Sequence, residues 1–271
     1  MSQAEDGGME VYKLIEERFG QGLPFPEGFP GADALRDLLS HRTQRAYSKK
    51  PVDEELLQVL IACALSSPTK SDLQQADIIH VRNPEKRRAF AELIPGMPWV
   101  REAPVFLVFC GNGRRIRQVS ELHGILFAND HLDAFFNAAV DAAMVMATFI
   151  NAAEAAGLGC CPISAVRNHC SAVNRLLELP DLVFPVAGLC VGYPEKQGRL
   201  SPRLPLDVTV HTDSFDETGL EDQIKSYDRR RASAMPESDR YLWSEAKARQ
   251  YAVPQRSDFG DYVRGKGFKL T

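Results

Sequence analysis

What the chain lacks narrows its chemistry first. None of its six cysteines, Cys63, Cys110, Cys160, Cys161, Cys170 and Cys190, stands at CxxC spacing, and no secretory leader precedes them. Most lie inside apolar runs, so they read as buried, reduced thiols of a cytosolic protein, with the adjacent Cys160 and Cys161 as a redox pair the minor alternative. There is no GxSxG, no HExxH, no Walker A loop, and no GxGxxG following a strand. The two glycines of "GNGRR" (111–115) lack a third and read as a turn. The six histidines are scattered, none at metal-ligand spacing from another histidine or a cysteine, and His80 and His169 read as structural. Hydrolytic and metal chemistry therefore have no support. A basic excess is also missing: the formal net charge of −4 argues against a nucleic-acid partner, so any anion site must be local. The start of the chain has no basic and apolar targeting pattern. The longest apolar run, residues 131–156, is broken by Asp133, Asn137, Asp141, Asn151 and Glu154 and makes a poor membrane span. Whatever reaction remains is expected to belong to a cofactor.

What is present is a soluble globular composition, 44% hydrophobic and 25% charged over 271 residues. The pattern predicts a short helix over about 9–19, then the Pro- and Gly-rich "GQGLPFPEGFPG", a linker or wrapping arm. A helix carrying Leu35, Leu38 and Leu39 on one face ends near Ser40. Asp53 caps a further helix, in which Leu56, Leu57, Leu60, Cys63 and Ala64 form one stripe. Residues 76–83, 104–111 and 184–192 read as strands, the last two so continuously apolar that both of their faces should be buried. Residues 131–156 read as a helix with almost no polar face, expected to run through the molecule's centre, stopped by Gly157 and Gly159. Beyond residue 212 the chain turns polar and should lie along the main body or a second subunit. These boundaries divide the chain into an N-terminal extension (1–34), a core (35–212) and a C-terminal tail (213–271).

Two clusters remain. In "HRTQR" (41–45), Arg42 and Arg45 stand three apart, so on a helical turn they point the same way and, with Thr43 and His41, suit a phosphate dianion. A solvated helix end explains the same residues. The loop "SSPTKSDLQQ" (66–75) is dense in hydroxyls and amides, and helix capping explains it equally well.

Taken together and in order, "HRTQRAYSKKPVDEELLQVLIACALSSPTKSDLQ", "AAGLGCCPISAVRN" and "LVFPVAGLCVGYPEKQGRLSPRLPLDVTVH" resemble the nitroreductase family of FMN-dependent NAD(P)H oxidoreductases. The match is closest to its NADPH-preferring flavin-reductase and oxygen-insensitive nitroreductase branch, where "DRYLW" and "FGDYVRGKGF" of the tail also have counterparts. The resemblance runs from about residue 35 to the end. It implies an α+β, three-layer fold with a central, mostly antiparallel sheet flanked by helices, and an extended C-terminal tail. It implies FMN as cofactor, NAD(P)H and a small oxidised acceptor (nitroaromatic, quinone or free flavin) as partners, ping-pong order, and a cytoplasmic homodimer without metal. Carried over by position, His41, Arg42, Thr43, Arg45 and Arg203 would hold the phosphate and ribityl end. Thr69, Lys70 and Asp72 would contact the ribityl chain or ring, often from the partner subunit. Met97 falls where a glutamine often approaches the ring, and Ser201 where a lysine is common. Pro162, Ile163, Ser164 and Ala165 match the strip whose amides face the flavin, with Ser164 and Ala165 where glycines are usual. Arg240 and Arg256 fall in segments resembling the nicotinamide-docking tail. A non-catalytic flavin-binding or sensing module, or an enzyme of this fold with dehydrogenating or dehalogenating chemistry, are the other readings.

Overall fold

The computed structural model describes residues 3–23, 31–237 and 240–271, with side chains from residue 8 onward. Most of the Pro- and Gly-rich stretch expected as an arm, residues 24–30, lies outside the described residues. The chain forms two compact units: Met1–Arg42 with Arg199–Gln255, and Thr43–Gly198 with Arg256–Thr271.

In the second unit the near-continuous apolar runs became strands covered on both faces. The sheet comprises β1 (Ala76–His80), β2 (Val105–Asn112), β3 (Gly159–Ile163) and β4 (Val183–Gly192), in the order β1-β2-β4-β3, every pair antiparallel. Strand alternation sorts β2 between two cores. Leu107 and Phe109 meet one cluster, with Leu57, Leu60 and Ala64 of α3 (Glu54–Leu65) and Val145 and Phe149 of α7 (Leu132–Ala155). Phe106, Val108 and Cys110 meet the other, with Phe90 of α4 (Pro84–Leu93), Val100 of α5 (Trp99–Glu102) and Val173 of α8 (Cys170–Leu177). That is the expected three-layer α+β arrangement. Strand β3, between α7 and α8, escaped the sequence pattern because it is five residues long and carries a proline.

The caps behave as the sequence predicts. Asp53 accepts from the N–H groups of Glu55 and Leu56 at 2.9 and 3.1 Å. The "GNGRR" turn is a cap as well: Asn112 Oδ1 accepts from Arg114 and Arg115 N–H, both at 2.9 Å, at the start of α6 (Arg114–Leu122). Gly157, at φ +76°, ends α7 in the left-handed conformation that glycine adopts without a steric cost.

Two expectations fail. The α7 helix does not run through the centre: Ala138, Ala142, Val145 and Phe149 face the sheet, while Phe136 stays 60% exposed and Leu132 49%. The reason is geometric, since a sheet face covers only one side of a helix. Cys63 is exposed, because the buried stripe of α3 follows Leu57, Leu60 and Ala64 instead; the other five thiols are buried, and all six are free. The predicted helix ending near Ser40 is α2 (Ala32–Leu39), none of whose residues is fully buried; Leu38 is 50% exposed.

The end of the tail, from Arg256, is part of the second unit. On and beside α12 (Phe259–Gly265), Val263 and Phe268 join Ala138 and Phe184 in a cluster flanked by Phe135. The Phe184 and Phe268 rings meet edge-on at 5.4 Å. In the first unit, α1 (Gln3–Phe19) extends further toward the N-terminus than the apolar spacing predicts, and α9 (Leu206–Thr209), α10 (Leu220–Ala234) and α11 (Trp243–Tyr251) follow.

Candidate active site

In the first unit the candidate phosphate residues are assembled by an arginine that motif reading does not single out. Val11, Leu14 and Arg18 recur at i, i+3 and i+7 along α1 and are 1%, 9% and 4% exposed, one buried stripe. The Arg18 guanidinium donates to the carbonyls of Leu39 (2.5 Å), Ser201 (3.2 Å) and His41. Its own carbonyl accepts from Arg203 N–H at 2.6 Å and from the Arg230 guanidinium at 3.2 Å. Arg230 also donates to the Arg203 carbonyl. Residues 39–42 and 201–203, some 160 positions apart by their numbering, are thereby tied together. His41 and Arg42 are half-buried there, Arg42 donating to Ser40 O at 2.9 Å, and the Arg203 side chain is exposed. Arg240 lies in this unit too, donating to Met235 O at 3.3 Å.

The second unit begins at Thr43, and here the geometry corrects the sequence reading. Residues 41–47 are not helical. Thr43 forms a parallel bridge with Cys160 of β3, and Gln44 N–H donates to Cys160 O at 2.9 Å. Along an extended segment, i and i+3 side chains point to opposite faces, so Arg42 and Arg45 are not juxtaposed by helical phase. Arg45 is exposed, with its guanidinium 5.5 Å from the centre of the Trp99 ring. Gly159 allows the close approach: a Cβ there would stand 2.3 Å from Gln44 Cγ.

The strip 162–165 alternates as a strand and the turn after it should. Ile163 and Ala165 are buried, 1% and 7% exposed, whereas Pro162 and Ser164 face outward. Met97 and Trp99 pack against the cluster that holds Ile163 and Ala165. Arg256 comes to the same strip, donating to Asn168 Oδ1 at 2.7 Å and to Ser164 Oγ at 3.3 Å. Its φ of +56° is uncommon for a residue with a side chain. Burial, and then the charge of Arg256, lowers the pKa of the neighbouring Arg167. Burial raises the Cys161 thiol pKa, with Arg45 opposing it.

Thr69, Lys70 and Asp72 stand elsewhere. They belong to a loop at the β1 edge, held by the fully buried Asp141, which accepts from Lys70 and Gln75 N–H, both at 3.1 Å. Thr69 lines a cleft of about 380 Å³ with Ile61, Gln74 and Arg115. Two strands separate β1 from β3, roughly 14 Å at the usual spacing, so one chain does not bring this loop to the 162–165 strip. A roomier cleft, about 820 Å³ between residues 47–57, 80–87 and 102–105, touches none of the candidate residues.

The donor set suits FMN. In the first unit Arg42, Arg203 and His41 are donors of the kind a phosphate dianion requires. In the second unit Met97, Trp99 and the 162–165 strip supply an apolar surface. Among the described residues no group of three or more His, Cys, Asp or Glu side chains is placed to hold a metal. Arg18, Arg230, Asn168 and Asp141 were missed by sequence reading, because each acts through a backbone or a side chain remote in sequence.

Comparison with known proteins identifies the family. The model of the nitroreductase family matches residues 38–193, and that of the nitroreductase family C-terminal domain matches residues 201–271. An FMN reductase [NAD(P)H] of Bacillus subtilis is 32% identical over 245 residues, covering 88% of this chain and 98% of that protein. Among solved structures, B. megaterium NfrA2 is similar at a TM-score of 0.84 and 32% identity, covering 88% of this chain and 99% of that one. The NADPH:FMN oxidoreductase of Vibrio harveyi, solved with NAD+, is similar at a TM-score of 0.78 and 30% identity, covering 87% and 98%. With one family model spanning more than half the chain and full-length relatives at this identity, the chain belongs to the nitroreductase family.

Proposed function

We propose that this chain is an FMN-dependent NAD(P)H oxidoreductase that passes hydride to nitroaromatics, quinones or free flavin in ping-pong order, as a cytoplasmic homodimer. The observation that carries the reading is the tie between residues 39–42 and 201–203, which brings Arg42 and Arg203 into one neighbourhood. The names of the relatives above support the coenzyme and the flavin.

In this reading Arg42 and Arg203 hold the phosphate with His41, while Thr43 and Arg45 serve the ribityl chain. The 162–165 strip backs the ring, with Met97 at its edge. The flavin, when bound, supplies the hydride-transfer chemistry. The chain's own residues bind, orient and shield, and no acid–base pair is required. Arg256, held beside Ser164, offers a cation to the anionic coenzyme. The loop at Thr69, Lys70 and Asp72 reaches the site from the partner subunit.

The test is direct. Purified protein should be yellow and should bleach with NADPH under anaerobic conditions; a colourless protein that takes up no FMN defeats the reading. Arg42→Ala or Arg203→Ala removes a charge-assisted bond worth about 1.5–3 kcal/mol, roughly tenfold to a hundredfold in FMN affinity. Full flavin occupancy of Arg42→Ala in dilute solution would reassign the phosphate.

A further inference from the structure

We propose that Arg18, on a helix outside both family-matched spans, is a positioning residue for the phosphate end of the flavin. It sets His41 and Arg42 in register with Arg203. The proposal rests on the phosphate assignment above and adds a residue to it.

Residues 41 and 42 have no ladder or helix to place them. Two long arginine side chains can share one dianion only if their backbones keep a fixed separation; otherwise ordering them costs much of what the interaction contributes. Arg18 supplies that separation. Its planar guanidinium, with five donors in a rigid fork, reaches carbonyls on both segments: Leu39 and His41 on one, Ser201 on the other. Arg203 is held at both of its peptide groups, its N–H by the Arg18 carbonyl and its carbonyl by the Arg230 guanidinium. Arg18 itself is held in place, 4% exposed, by the stripe it shares with Val11 and Leu14. The segments it clamps are those carrying the phosphate candidates, so the consequence of loosening it should be specific to the phosphate. A lysine cannot substitute, because a single ammonium has no fork to span the carbonyls.

The experiment compares FMN with riboflavin, which lacks the phosphate, binding to full-length apo protein by flavin fluorescence. Arg18→Gln should weaken FMN roughly tenfold while riboflavin stays within about twofold. Arg18→Lys should not restore FMN affinity. Arg230→Gln, at a more exposed position, loosens Arg203 without emptying the buried site. It should show the same preference at several-fold and keeps the test available if Arg18→Gln does not fold. Unchanged FMN binding in both variants, or equal losses for FMN and riboflavin, would overturn the proposal. Arg42→Ala and Arg203→Ala run alongside. If these lower FMN selectively and the Arg18 and Arg230 variants do not, the positioning role alone falls. If neither of them discriminates FMN from riboflavin, the phosphate assignment beneath it falls.

Discussion

At the scale of single residues, Arg256 is where the proposed function gives the tail a part in coenzyme binding. Its left-handed backbone costs on the order of 1 kcal/mol, and its two side-chain bonds, to Asn168 and Ser164, offset that. A guanidinium held at the outward-facing Ser164 can meet a coenzyme phosphate without reordering. Arg256→Ala should raise the KM for NADPH several-fold and spare NADH. Flavin reoxidation by acceptor should stay unchanged, because a bond to the 2′-phosphate holds ground state and transition state equally. Equal losses with both coenzymes, or none, would return Arg256 to the surface. The thiols make a second case. Burial pushes Cys110 up to about 12 and Cys170 up to about 11, so both stay protonated at neutral pH. A disulfide-exchange reagent should titrate one thiol per native chain, Cys63, and all six after unfolding. Rapid labelling of further thiols in the folded protein would contradict the packing.

At the scale of elements, α7 acts as a post for the loop before β1. Asp141 is the polar residue on its buried face, and its two oxygens accept the N–H groups of Lys70 and Gln75. Between those anchors Ser71, Asp72 and Gln74 all take positive φ, a conformation that a free loop would abandon. Asp141→Ala leaves two N–H groups unpaired and should cost about 2–5 kcal/mol in urea unfolding. Limited proteolysis should then cut at residues 69–75. A variant as stable as the parent would show that the loop is held by something else.

At the scale of the whole molecule, the outer side of α7 exposes Leu132, Phe136 and Val140, and α3 exposes Val59 and Leu65. Apolar surface of this extent is where an interface is expected, and a second copy of the chain is the occupant proposed. Phe136→Glu should shift sedimentation toward monomer and release flavin with it; an unmodified chain that stays monomeric at micromolar concentration would end the dimer reading. A separate tie is electrostatic. Asp130 accepts from Lys269 Nζ at 2.7 Å and from Arg117, joining the C-terminus to α6, and both partners depress its pKa. A carboxylate that binds its proton less readily folded than unfolded contributes stability above its ordinary value, near 3.9. It loses that contribution as pH falls below this value and through the lower folded one. Asp130→Asn should therefore lower the melting temperature at neutral pH, and the difference should shrink below about pH 4; a gap that persists in acid would point to packing instead.

The sequence by itself determined what depends on neighbours along the chain. Continuous apolar runs specified β2 and β4 because both faces of a central strand are buried. Asp53 specified the start of α3, because a cap bonds two and three residues ahead. The order of the motifs identified the family. Only the tertiary structure decided which side of each element is covered and which distant backbones meet. Helical phase suggested that Arg42 and Arg45 converge, yet a bridge from Thr43 to Cys160 holds that segment extended. The α7 helix looked buried all round, but the sheet has one face to offer it. Arg18 carries no signal in the sequence, since no local pattern marks carbonyls at Leu39, His41 and Ser201 as its partners. Patterns of period 2 and 3.6 report an element's faces, whereas a guanidinium's partners are set by where the chain returns.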